Sequence, residues 1–142
     1  MSVGLLLVTH PGVGDALRDT AAGILPRLPL PVSTISPRDA EPPETVRGRV
    51  EALADRIDSG DGVIILTDAF GATPANIAVA VGRRRGYPVI TGVNLPMLLR
   101  VLNYPGHSMD TLAEAALAAA RDGILQATRA AHPEDRPHHG TG

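Results

Sequence analysis

Apolar residues in this chain fall into short unbroken runs and longer periodic stretches, and the two kinds alternate. Gly4-Leu5-Leu6-Leu7-Val8 is a run that stops at Thr9-His10, and Gly62-Val63-Ile64-Ile65-Leu66 is a second that stops at Thr67-Asp68. Runs of this length suit strands buried on both faces and fall far short of the ~20 residues of a membrane span. Val32-Ser33-Thr34-Ile35 and the segment from Pro88 to Val93 supply two more strand candidates.

The periodic stretches lie between and after these runs. Val13, Ala16, Leu17, Thr20, Ala21, Ile24 and Leu25 recur at helical spacing until Pro26. Val46, Val50, Leu53 and Ile57 mark a second helix, preceded by a surface loop from Ser36 to Pro43. Thr73 before Pro74 predicts a hydroxyl N-cap with proline at the first helical position, and Gly86 a C-terminal stop. Leu95 to Leu99 restarts as helix after Asn94. A last helix opens near Ser108–Asp110, with Leu112, Ala116, Ala119 or Ala120, Ile124 and Ala127 on its apolar face.

Strands that alternate with helices and lack hairpin turns require crossover connections, hence a parallel sheet. The expected fold is a doubly wound α/β three-layer sandwich. Its central, mainly parallel sheet has core strand order 2-1-3-4 and helices on both faces. One domain spans residues 1–131, and residues 132–142, rich in His, Pro and Gly, read as a disordered tail.

Composition narrows the picture by exclusion. A chain of 142 residues buries a real core, and with 2% aromatics that core is aliphatic. A net charge of −2 gives no electrostatic footprint for nucleic acid. The Arg83-Arg84-Arg85 cluster sits where a helix end favours cations. There is no cysteine, so thiolate chemistry and disulfides are out. No signal peptide is visible, and a cytoplasmic protein without membrane insertion is expected. The tail histidines impose no fixed metal geometry, and no metal site is expected.

Ligands of open α/β sheets bind at the carboxyl ends of the strands, where the strand order reverses. With strands one and three adjacent, that point brings together His10 and Asp68. A carboxylate on one imidazole nitrogen fixes the tautomer and frees the lone pair of the other. The ring is then a nucleophile suited to accept a phosphoryl group. Backbone N–H groups of the Gly71-Ala72-Thr73 turn, the Thr73 hydroxyl and the helix start there favour an anion. The Gly12 turn and the Thr9 hydroxyl are further candidates for phosphoryl binding. Each residue also has a plainer reading: a strand-end histidine, a turn acid, a helix cap. Phe70 and the segment holding Asn94, Leu95 and Met97 are candidates to face a partner.

At these residues the chain resembles the enzyme IIA domain of the mannose-type sugar phosphotransferase system. The resemblance rests on Val8-Thr9-His10, on Thr67-Asp68-Ala69-Phe70-Gly71-Ala72-Thr73-Pro74-Ala75-Asn76 and on Gly92-Val93-Asn94-Leu95-Pro96-Met97-Leu98. It covers residues 2 to about 130. It implies that His10 is the phosphoacceptor, that Asp68 pairs with it, and that Thr73 is the hydroxyl residue near the phosphoryl group. It implies a phosphohistidine carrier protein as donor and a IIB component or a regulatory target as acceptor. It further implies a homodimer, with exchange of a C-terminal edge strand in known members, and no metal or organic cofactor. The chain departs from the family pattern at Pro11 and Ala72, where glycine is common. It also stops soon after the last helix, which under the resemblance fits a split transporter or a regulatory phosphocarrier.

Two other readings share the candidate pair. One is the phosphotransfer subunit of a dihydroxyacetone kinase, against which the Asn94–Leu98 segment speaks. The other is a non-catalytic regulator that holds a small anion. A stand-alone hydrolase lacks an accompanying Ser, Cys or metal-ligand set.

Overall fold

The computed structural model describes residues 2–28 and 30–130. Four strands form one parallel sheet: β1 (Gly4–Val8), β2 (Val32–Ile35), β3 (Val63–Thr67) and β4 (Val89–Ile90), in the order β2-β1-β3-β4. This is the order expected. The two longest apolar runs, β1 and β3, take the central places, where both faces are covered. Every residue of both is buried.

Alternation along these strands sorts their side chains into two cores. Leu5, Leu7, Ile64 and Leu66 pack with residues of α1 (Val13–Ile24), α4 (Leu95–Leu102) and α5 (Met109–Asp122). Leu6, Val8, Val63 and Ile65 pack with α2 (Pro43–Ile57) and α3 (Thr73–Arg85). The three layers follow from that division. Truncating one of these fully buried leucines to alanine costs about 2–5 kcal/mol.

Ion pairs brace the outer layers. Arg84 reaches Glu51 at 3.2 Å, and Arg85 pairs with Asp55, so the arginine cluster ties α3 to α2. Arg49 of α2 donates from Nε and Nη2 to both oxygens of Glu41, at 2.7 and 2.6 Å. Its Nη2 also donates to the Ser36 carbonyl, which pins the loop before α2. The Arg49 fork, joined by the Arg38 backbone N–H, lowers the Glu41 carboxyl to about 2.

Two elements are shorter than the sequence pattern predicts. β4 ends at Ile90 rather than Val93, because Gly92 adopts φ 77° and turns the chain out of the ladder. α5 ends at Asp122, and Ile124 is exposed instead of lying on its apolar face. Gly123 caps it against Pro96, whose Cγ would lie 2.6 Å from a Cβ added there. The predicted tail, residues 132–142, lies outside the described residues. No helix among the described residues is long and apolar enough to cross a membrane.

Two stability measurements test this packing. The Glu41 carboxyl is lowered on folding, so its stabilisation is complete above the unfolded-state pKa. It is lost as the pH falls through about 2. Acid titration of stability should show this loss, and Glu41→Gln should flatten it; an unchanged profile would reject the assignment. Thr67, at the end of β3, is fully buried, and its Oγ1 has no hydrogen-bond partner among the described residues. Thr67→Val removes an orphaned hydroxyl at constant shape and should raise stability in urea unfolding by about 1 kcal/mol. A loss of that size would mean the hydroxyl has a partner.

Candidate active site

The sheet register determines which residues meet at its carboxyl edge. Val8 of β1 is paired with Thr67 of β3, so His10 and Asp68 emerge side by side from the two central strands. Asp68 Oδ2 accepts the His10 backbone N–H at 2.9 Å and lies 2.7 Å from His10 Nδ1. Oδ1 accepts the Ala69 backbone N–H at 3.0 Å. One carboxylate thus holds the histidine by its main chain and by its ring. An ionised carboxylate only accepts, so Nδ1 carries the proton and Nε2 the lone pair.

The two side chains differ in exposure. His10 is 52% exposed and Asp68 14%. Burial pushes the Asp68 carboxyl up. The His10 N–H and ring and the carboxylate's own backbone outweigh it and hold the group below the usual range. Asp68 therefore remains an anion under a ring that faces solvent.

The flanking loops fix both residues. Val13 N–H donates to the His10 carbonyl at 3.2 Å, closing the turn through Pro11 and Gly12 into α1. This closure needs no N–H at position 11, so Pro11 is compatible with it. Gly12 is the N-cap of α1. On the other side, Gly92 N–H donates to the Asp68 carbonyl at 3.1 Å, and Val93 N–H to the Thr67 carbonyl at 3.1 Å. The φ of 77° at Gly92, the same that ends β4, turns the chain so that the Val93 N–H reaches β3 beside that of Gly92.

The turn after Asp68 differs from expectation in one respect. Thr73 does not cap α3: Ala72 is the N-cap residue and Thr73 the first helical one. The positive φ falls on Gly71, at 86°, while Ala72 is extended at φ −75°. Alanine at 72 is therefore unstrained. Asn76 donates from its N–H to the Ala72 carbonyl at 2.9 Å and from Nδ2 to the Gly71 carbonyl at 3.2 Å, which secures the turn. The Thr73 hydroxyl is not used as a cap, and the first N–H groups of α3 have no intrahelical acceptor. A groove of about 420 Å³ lined by Pro43, Arg47, Thr73 and Ile77 runs from this turn between α2 and α3.

Three sequence assignments change. Thr9 is 1% exposed, and its hydroxyl bonds the His10 carbonyl and the Gly14 N–H, so it is not open to an anion. Met97 is buried in the core and does not face a partner. Asn94 is the cap of α4: Oδ1 accepts the Met97 N–H at 2.9 Å, and Nδ2 donates to the Ala120 carbonyl at 3.2 Å. Leu95 packs against the core from its edge. Phe70, two residues beyond Asp68, is 86% exposed. The Thr9–Gly14 contact has a sequence signal that motif spacing does not capture, a small residue in the first turn of a helix.

Comparison with known proteins agrees with this fold. Residues 4–120 match the family described as the fructose IIA component of the phosphotransferase system. The mannose-specific EIIAB component of Escherichia coli K12 is 31% identical over 127 residues, which is 87% of this chain and 39% of that protein. The chain thus spans about two fifths of that relative. The EIIA component from Streptococcus agalactiae superposes with a TM-score of 0.77 at 21% identity, covering 90% of this chain and 99% of the other. The mannose/sorbose IIA subunit from Enterococcus faecalis gives 0.74 at 19%, covering 89% and 95%. At those identities the structural likeness is one of fold. With the family match over most of its length, the chain belongs to the mannose-type IIA family of the sugar phosphotransferase system.

Proposed function

We propose that this chain is a histidine phosphocarrier, with His10 Nε2 as the atom that takes the phosphoryl group. The observation that carries the reading is the 2.7 Å contact between His10 Nδ1 and a largely buried Asp68 carboxylate, under a half-exposed ring. With Nδ1 protonated and held, the lone pair on Nε2 points away from the carboxylate.

In the transfer, that lone pair attacks the phosphorus of a phosphohistidine on the donor, a phosphohistidine carrier protein. The new N–P bond forms at Nε2 as the donor's N–P bond breaks, and the donor imidazole leaves with its electron pair. No proton leaves His10 in this step. The positive charge that develops on the ring is met by Asp68 through Nδ1–H. Gly71 and Thr73 with the start of α3, and Gly12 at the start of α1, supply donors for the phosphoryl oxygens, whereas the Ala72 N–H is taken by the Ala69 carbonyl at 3.1 Å. The reverse chemistry passes the group to a IIB component or a regulatory target. No metal or organic cofactor is required. Phe70 is a docking contact for both partners, since a large exposed apolar ring beside a reactive group suits a transient interface. A cytoplasmic homodimer, with residues 1–131 as the catalytic domain, completes the reading.

Incubation with enzyme I, carrier protein and phosphoenolpyruvate, followed by mass measurement, tests it. The wild type should gain one acid-labile, base-stable phosphoryl group, and His10→Ala should gain none. Asp68→Asn should fold and accept the group at least about a hundredfold more slowly, because the ring loses both its tautomer and its counter-charge. Labelling of His10→Ala at the wild-type rate would reject the proposal.

A further inference from the structure

We propose that Thr9 is a positioning residue for phosphoryl transfer, a strut that holds His10 from the side opposite Asp68. The inference rests on the phosphocarrier reading and deepens it. It starts from a hydroxyl that is fully engaged where nothing in the fold of β1 demands one. Thr9 follows the last residue of β1 and is 1% exposed. Its Oγ1 accepts the Gly14 backbone N–H at 2.9 Å and donates to the His10 carbonyl at 2.8 Å. The direction of the second bond is unambiguous. An N–H can only donate, so the hydroxyl's own proton is free for the carbonyl.

His10 is consequently held at every main-chain polar atom. Its N–H goes to Asp68 Oδ2, and its carbonyl accepts from Thr9 and from Val13. The carboxylate alone fixes the ring nitrogen and one end of the peptide. Thr9 fixes the other end and links it to the first turn of α1. Without that link, His10 keeps only the 3.2 Å bond from Val13 on its carbonyl side.

The packing at Gly14 supports the assignment independently. A Cβ added at Gly14 would lie 3.1 Å from Thr9 Oγ1 and 3.4 Å from Leu7 Cβ. The first turn of α1 therefore approaches the hydroxyl as closely as a residue without a side chain permits. Gly14 is one of the buried residues of α1, and Leu17 and Ala21 carry its apolar face further along. The local result of the close approach is the bond that orients Thr9.

Thr9→Val keeps the shape and removes both bonds; Thr9→Ser keeps the hydroxyl. Two readouts on the full chain distinguish positioning from stability. The first is the rate of phosphoryl acceptance from phosphorylated carrier. It should fall about tenfold in Thr9→Val and stay within about twofold in Thr9→Ser, since small displacements of a reacting group cost rate steeply. The second is the proton resonance of His10 Nδ1–H, observed by NMR without any partner. It should be sharp in wild type and Thr9→Ser and broadened in Thr9→Val. Wild-type acceptance by Thr9→Val, or a Thr9→Ser variant with slow acceptance or a broadened Nδ1–H signal, would overturn the proposal. If Thr9→Val does not fold, Thr9→Ala, which also removes both bonds, takes its place in both readouts with the same outcomes. Failure of the wild type itself to be labelled would reject the phosphocarrier reading, and the Nδ1–H resonance alone would then decide whether Thr9 holds the ring.

Discussion

A single carboxylate oxygen, Asp68 Oδ2, holds both the main chain and the ring of His10, at 2.9 and 2.7 Å. That double contact makes the imidazole a defined tautomer rather than a freely rotating group. It also sets demands on everything beneath it. Two residues 58 positions apart must leave the sheet at the same height, side by side. Only adjacent parallel strands in fixed register achieve this, and the pairing of Val8 with Thr67 supplies it. The alternating apolar side chains of β1 and β3 lock that register, because a slip by one residue would exchange the two cores.

Support for the pair continues outward through backbone atoms. The Asp68 carbonyl is held by Gly92 N–H, and the loop that delivers Gly92 is closed by Asn94, which caps α4 and reaches Ala120 on α5. The role of Asn94 is thus structural, one step removed from the His10–Asp68 pair. On the opposite side α1 begins soon after His10, with its first turn bonded to the His10 carbonyl and to Thr9. Both helix-start loops act as clamps on strand ends.

The apolar runs make the sheet order legible in the sequence, since crossover connections leave few topologies for four strands. The same argument places His10 beside Asp68. Legibility declines where side chains serve the backbone. Thr73 before Pro74 has the form of a cap, but the positive φ of Gly71 and the extended Ala72 start the helix one residue earlier. Met97 reads as a candidate docking contact because it is apolar and near the site, a pattern that a core residue shares; in the fold it is buried. Gly123 ends α5 because Pro96 packs onto it, a tertiary contact with no local signature. Thr9 is visible as a hydroxyl at a strand end, but its use is decided by Gly14, five residues away.

The polar and apolar groups at this sheet edge divide by whether the fold already uses them. Thr9, Asn94 and the carboxylate of Asp68 have their hydrogen-bonding capacity engaged in holding other atoms. Thr73 makes no capping bond, Phe70 is exposed, and the His10 ring is half-exposed with one nitrogen taken. Phe70, 86% exposed, stands two residues beyond the largely buried Asp68 carboxylate. The groups left open are those a transferred anion and a transient partner would need. The engaged ones are those that keep His10 still. That division also accounts for the fit of Pro11 and Ala72 in these loops: the turn at Pro11 closes through the Val13 N–H, and the positive φ after Asp68 falls on Gly71 and not on Ala72.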